Sequence, residues 1–476
     1  MAVVPRPDLC IVGAGALGIA LALHARHLGA NVVLADRGQA EPGDLPQQQL
    51  QLAALGESAA LAQAIRQGSA LGLANEAPKL VYKTVQEHAR SVAASRAPLD
   101  APDRLTALGV ELIKGPVRFV DGRTLAVGDL HLRPRHVVLA TGARPSVPDL
   151  PGLKAAGFFT ADTILDNVRK LTHLVVIGAS PAGLELAQAH LRLGSEVTVV
   201  PHGGLLPEYD PEAVAILLQA LRAEGLRIMD GAGVVEVLPR SQGIGVVTLL
   251  ADGSRENLDA SHILVTLGRT TDVETLDLDK VRLRSRRGGV GHYAQGSLGQ
   301  TSNRWVRVVG AAAGLDQWHH ALAHGRAVVE SLLLSPLARV APAPRLVMTE
   351  PALAQIGRST AADRKLRPGT SVVRVNLAEN DRARARGRGH GEIKVLADED
   401  GRILGASAVG PEAGELAGVL ALAMELGLPL SRLAGLCVPH PSFMGSLVAL
   451  GENHVAQRPV SPWKRRQLAL RRLLPW

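Results

Sequence analysis

Two segments of this chain share one pattern: a β-branched run, a glycine-containing turn and an Ala/Leu-rich helix. The first is DLCIVGAGALGIALALHARHLGANVVLAD from Asp8, and the second is LTHLVVIGASPAGLELAQAHLRLGSEVTVV from Leu171. A buried strand that hands over to a helix through a tight turn is a βαβ opening, and two of them predict an α/β fold with two nucleotide sites. In the first, Gly13, Gly15 and Gly18 form G-x-G-x-x-G directly after the strand, and Asp36 closes the next strand. Gly13 permits the turn, and Gly15 with Ala16 lets backbone N–H groups approach a pyrophosphate at the helix N-terminus. Gly18 allows close packing, and Asp36 accepts from ribose hydroxyls.

The second opening carries Gly178, Ser180 and Gly183, with serine where the backbone should come closest to phosphate. Serine is small enough to be tolerated there. The following strand ends Val199-Val200-Pro201-His202, without an acid at the ribose position. A 2′-phosphate is therefore not repelled, and NADPH is expected ahead of NADH. His202 is a candidate phosphate partner, with an exposed loop histidine as the alternative.

A length of 476 residues suggests about three domains. Apolar residues at 46% and charged residues at 20% fit a soluble globular chain, whereas aromatics at 2% argue against a stacking surface for nucleic acid. Two cysteines, Cys10 and Cys437, exclude a disulfide framework and point to a reducing, cytoplasmic setting. No run approaches the roughly twenty apolar residues of a membrane span. The net charge of +8 is concentrated in residues 456–476, where Arg458, Lys464, Arg465, Arg466, Arg471 and Arg472 meet no acid. That balance gives a nucleic-acid role little support. Trp463, Leu470 and Leu474 fall in one helical sector of this tail, with Leu468 and Arg466 spoiling the separation. The tail reads as a helix that touches an anionic membrane surface, or as a docked or disordered segment.

Further segments carry a family resemblance. VVLATGARPSVPDLPGL with Ala140, Thr141 and Gly142, and HILVTLGRTTDV with Gly268 and Arg269, look like the two returns to the flavin domain in pyridine nucleotide-disulfide oxidoreductases. TEPALAQIG, NDRARARG, GEIKVLADEDGRILGASAVGPEAGE and His440-Pro441 resemble their C-terminal dimerisation domain, and the likeness is greatest to dihydrolipoamide dehydrogenases and mercuric reductases. The resemblance spans residues 8–455 apart from 42–95. It implies two Rossmann-like domains, for FAD and NAD(P), plus an α+β dimerisation domain. The expected division is 1–150 with 271–340 for FAD, 151–270 for NAD(P), 341–457 for a homodimer interface, and 458–476 as a basic tail.

The chain departs from that family where its chemistry resides. The reactive dithiol is expected early in the helix after the second strand, and residues 42–55 read PGDLPQQQLQLAAL, with neither cysteine nor lysine. Glu185 matches the family's nucleotide-domain glutamate without its lysine partner. His440 keeps the family's imidazole, but Gly445 stands where its carboxylate is expected. Gly310-Ala311 replaces a Gly-Asp that holds the flavin ribityl chain. Cys437 reads as a small buried residue rather than a surrogate thiol. The arginines 382, 384, 386 and 388 read as a solvated loop, and His319, His320 and His324 suggest no metal.

The expected function is an FAD-dependent NAD(P)H oxidoreductase that passes electrons directly to a small-molecule acceptor such as a quinone. Glu185 and His440 would stand near the reacting rings. It would be cytoplasmic or peripheral to the inner face of the membrane. The alternative is a catalytically silent scaffold that binds nucleotide or a partner.

Overall fold

The structure, a computed structural model, describes residues 5–38, 45–73, 77–100, 102–285, 293–359, 369–457 and 462–473. The chain forms two compact units, residues 1–206 with 221–349, and 207–220 with 350–476.

In the first unit, β1 (Leu9–Val12), α1 (Ala16–His27) and β2 (Val32–Asp36) make the first βαβ opening. Every residue of β1 is buried: Cys10 and Val12 pack into one apolar cluster, and Leu9 and Ile11 into another on the opposite face. A strand covered on both faces is what a parallel sheet between helical or sheet layers requires. Two helices follow, α2 (Leu45–Arg66) and α3 (Tyr82–Ala94), both rich in alanine. β3 (His136–Leu139) returns to the sheet. The parallel order is Val306–Val308, β3, β1, β2 and Glu111–Lys114.

The second opening repeats the arrangement with β4 (His173–Ile177), α4 (Pro181–Arg192), β5 (Glu196–Val200) and, after a three-stranded antiparallel insertion, β6 (His262–Val265). Its parallel order is Arg227–Ile228, β5, β4, β6 and Phe159–Thr160. α5 (Trp318–Leu333) lies against α1, so closely that a Cβ on Gly325 would come within 2.8 Å of the Leu21 side chain.

The second unit is built on an antiparallel sheet of β7 (Ala352–Gly357), β8 (Ser371–Asn376), β9 (Glu392–Ala397) and β10 (Ile403–Gly410), in the order β7, β10, β9, β8. Helices α6 (Ala413–Glu425), α7 (Gly445–Ala456) and α8 (Pro462–Arg472) complete it. Inside the unit Lys394 of β9 is buried, with Nζ 2.5 Å from Asp210 Oδ1 and 3.1 Å from Glu212 Oε2. Arg374 and Lys394 together hold the Glu212 carboxyl down at about 2.

Three of the four arginines read as a solvated loop have carboxylate partners. Arg384 pairs with Asp381, Arg386 with Glu412 and Arg388 with Glu350.

Candidate nucleotide and electron-transfer site

The two glycine turns differ in how their helices begin. At α1, Gly15 is the N-cap in extended conformation and no side chain caps the helix. The helix start is thus open to a ligand on its Gly15 side, and the helix dipole favours an anion there. Gly13, at φ +111°, has no space for a side chain, since a Cβ would lie 2.4 Å from the Ala140 carbonyl oxygen. At α4, the Ser180 hydroxyl accepts from the Gly183 amide at 3.2 Å. The serine is thus more than a tolerated small residue: it caps its own helix and occupies one donor that a phosphate would use. A Cβ on Gly178 would meet the Thr266 carbonyl oxygen at 2.6 Å, so the second turn also requires glycine.

A cavity of about 360 Å³ lies over the first turn, lined by Gly13, Gly15, Asp36, Thr141, Gly142 and Trp318 among others. Two buried polar atoms on its wall, Thr141 Oγ1 and Arg37 Nη1, have no partner among the described residues. Asp36 accepts from the Gly38 amide through Oδ1. An uncapped helix start, orphaned buried polar atoms and a carboxylate at the strand end fit the phosphates and ribose of FAD. Gly13, Gly15, Ala16, Gly18, Asp36 and Thr141 would hold it there, with Ala140 and Gly142 shaping the turn. Ala311 also lines the cavity and offers no carboxylate, so one charge-assisted contact, worth about 1.5–3 kcal/mol, is absent. Gly310 stands at φ +63° beside it, with Leu17 filling the space a side chain would need.

A second cavity of about 100 Å³ is lined by Ser180, Ala182, Thr266, Gly268 and Asp316. Leu45, Gln48 and Arg269 line both cavities and form their common wall. That wall is firmly held. Arg269 binds both oxygens of Asp162, at 2.7 and 3.0 Å, and donates twice to the Ala143 carbonyl. Gln49 donates to the Asp316 carbonyl at 3.2 Å and accepts from the Trp318 amide at 3.1 Å. The first turn of α2 is thereby tied to the start of α5.

Arg37, Gln48, Asp162 and Trp318 were not singled out as site residues from the sequence, and Arg269 was noted only within a resemblance. Arg37 carried a faint signal, since it directly follows the ribose acid. The Asp162–Arg269 pair spans 107 residues and carried none.

Glu185 on α4 is partly buried, and its Oε1 accepts from the Met348 amide at 2.8 Å. No cation pairs with it among the described residues. Burial, with the Asp316 charge adding to it, pushes its carboxyl up to about 7. Between 4.5 and 7 the folded chain holds a proton that the unfolded chain has released, so stability falls as pH rises through that window and stays lower above it. Glu185→Gln should therefore raise the melting temperature at pH near 8, removing a penalty of at most about 3 kcal/mol, and leave it unchanged at pH near 4. An equal effect at both pH values would contradict this account.

His202 is exposed in the loop after β5. His440 is also exposed and belongs to the second unit, where it lines a cavity of about 550 Å³ with Asp381, Cys437, Ser442, Gly445 and Glu452. Its Nε2 lies 3.8 Å from Asp381 Oδ2, so a carboxylate does face the imidazole although Gly445 replaces the expected one. Cys437 is exposed, which corrects its reading as a buried apolar residue. His319 Nε2 is bonded to the Pro344 carbonyl at 2.6 Å.

The family model for pyridine nucleotide-disulphide oxidoreductases matches residues 7–325, and the model for their dimerisation domain matches 343–450. A mercuric reductase of Lysinibacillus sphaericus is 27% identical over 91% of this chain and 80% of its own length. A dihydrolipoyl dehydrogenase of Thermus scotoductus is 31% identical over 72% of this chain and 75% of its own. Among solved structures, LpdA from Mycobacterium tuberculosis superposes with a TM-score of 0.81 at 22% identity, covering 94% of this chain and 99% of that one. The HOCl-induced flavoprotein disulfide reductase RclA from Escherichia coli gives 0.78 at 22% identity, with the same coverage. The chain belongs to the pyridine nucleotide-disulphide oxidoreductase family, flavin-dependent oxidoreductases that use FAD and NAD(P)H.

Proposed function

We propose that this protein is an FAD-dependent NAD(P)H oxidoreductase that delivers electrons directly to a small acceptor such as a quinone, without a disulfide relay. The observation that carries this reading is the wall common to the two cavities: Leu45, Gln48 and Arg269 form it, and no thiol is among them. Cys10 cannot serve, because it is fully buried in β1 and burial pushes its thiol up to about 12. Cys437 has no second thiol for a relay, since the only other cysteine of the sequence is the buried Cys10. FAD, when bound, supplies the two-electron chemistry between NAD(P)H and the acceptor.

The chain's own residues bind, orient and manage protons. Gly13, Gly15, Ala16, Gly18, Asp36, Ala140, Thr141, Gly142 and Gly310 serve the flavin nucleotide; Gly178, Ser180, Gly183, His202 and Gly268 serve the nicotinamide nucleotide. Reduction of a quinone to its hydroquinone takes two electrons and two protons. A hydride equivalent from NAD(P)H carries both electrons and one proton. Glu185, whose carboxyl burial raises to about 7, would supply the other and regain it from water. His440 acts on the acceptor side of a homodimer formed through residues 341–457. The division into an FAD domain at 1–150 and 271–340 and an NAD(P) domain at 151–270 belongs to the same proposal, as does a cytoplasmic enzyme able to work at the inner face of a membrane.

Anaerobic titration tests it. The purified protein should show a flavin band, NADPH should bleach the band faster than NADH, and a soluble quinone should restore it. A protein that stays colourless after FAD is supplied, yet binds NADPH, would favour the silent nucleotide-binding scaffold.

A further inference from the structure

The last acid of the sequence is Glu452, and the residues after it carry Arg458, Lys464, Arg465, Arg466, Arg471 and Arg472. Arg458 and Leu474 lie outside the described residues; Pro462–Arg472 forms α8. Along this helix Trp463 is 67% exposed, Leu468 54%, Leu470 64%, and Leu473 just beyond it 81%. No described side chain of residues 462–473 has a hydrogen bond or ion pair to another residue of the chain among the described residues. α8 thus presents apolar groups and basic groups together, with no described residue satisfying either.

Positions seven apart on a helix fall within about 20° of each other. Trp463 and Leu470 therefore share one side, and Arg465 and Arg472 share another, with Lys464 and Arg471 at positions midway between them. Arg466 borders the apolar side and Leu468 the basic one. Such mixing suits an interface better than an apolar groove, because long basic side chains lay their methylene stems along apolar surface while their charges reach outward. A nucleic acid would satisfy the charges and leave Trp463, Leu470 and Leu473 in water. An uncharged apolar partner would do the reverse.

We propose that α8 is a docking surface for an anionic lipid bilayer, with Trp463, Leu470 and Leu473 entering the headgroup boundary and the basic residues meeting anionic headgroups. The proposal gives a lipid class and a set of contacts to the membrane-surface location suggested above, and rests on that reading only in this respect. No described helix is long and apolar enough to cross a membrane, so α8 would lie on the surface.

The test is flotation of the full chain with vesicles of mixed phosphatidylglycerol and phosphatidylcholine, and with vesicles of phosphatidylcholine alone. Binding to the anionic vesicles should be at least about ten-fold stronger, weaken in high salt, and shift Trp463 emission to the blue. Leu470→Glu with Leu473→Glu should reduce it about ten-fold or more, and so should Arg471→Glu with Arg472→Glu. Absence of binding to anionic vesicles would overturn the proposal. So would binding that the leucine changes leave intact, or tighter association with short duplex DNA than with vesicles. The flavin spectrum does not enter these measurements, so failure here leaves the electron-transfer reading standing, and a colourless protein leaves the lipid reading standing.

Discussion

Gly18→Val should yield a protein that no longer retains flavin. A Cβ at Gly18 would lie 1.9 Å from the Gly13 carbonyl oxygen, which is backbone and cannot rotate away. The turn would have to open and α1 lift from β1, moving the uncapped helix start at Gly15 out of line with the pyrophosphate. The expected loss is at least about 100-fold in FAD affinity, or about 2.7 kcal/mol, read from flavin content on purification and from titration of the stripped protein. A misfolded variant would be uninformative by itself, so Asp36→Ala is the companion. It removes one local bond to the Gly38 amide and the ribose contact, should fold normally, and should weaken FAD by about ten-fold. Stoichiometric flavin in Gly18→Val would show that the cavity over this turn is not the flavin site.

Lys394→Met is expected to have the largest effect on stability. Lys394 and Asp210 side chains are 3% and 1% exposed, so removing the ammonium takes the lysine cation away from a buried carboxylate that keeps its amide donors at Glu212 and Ala213. Breaking a buried pair in this way typically costs about 3–5 kcal/mol. The loss belongs to the second unit and should appear as faster hydrogen exchange in β8, β9 and β10. Replacing both partners, Lys394→Met with Asp210→Asn, should recover a substantial part, because the cost comes chiefly from burying a carboxylate without its lysine and the neutral amide can still accept from Glu212 and Ala213. A double variant as unstable as the single one would refute that reasoning.

The nucleotide framework was legible because its physics is local. A strand, a turn that tolerates no side chain and a helix start lie within about ten residues, and Gly13, Gly15, Gly18 and Asp36 occur in that order along the chain. The basic helix was legible for the same reason. What failed to show were relations between distant segments. Cys437 read as buried, because a small apolar residue in an apolar run usually is; the structure exposes it in a cavity with His440. The imidazole read as lacking a carboxylate, because the expected one is five residues downstream; Asp381 comes from another segment. The arginine run read as solvated, and its carboxylate partners include Glu350 and Glu412, far away in sequence.

By itself, then, the sequence determined that two nucleotides have places to bind and that no cysteine pair can stand between them. Periodicity and glycine spacing act over one or two turns of chain, and the absence of a residue type needs no coordinates. Only the tertiary structure decided that Leu45, Gln48 and Arg269 form the wall between the two cavities, that Asp162 fixes Arg269, and that burial raises the Glu185 carboxyl to about 7. Those properties depend on burial and on charges brought together from remote segments, and both come into being only when the chain has folded.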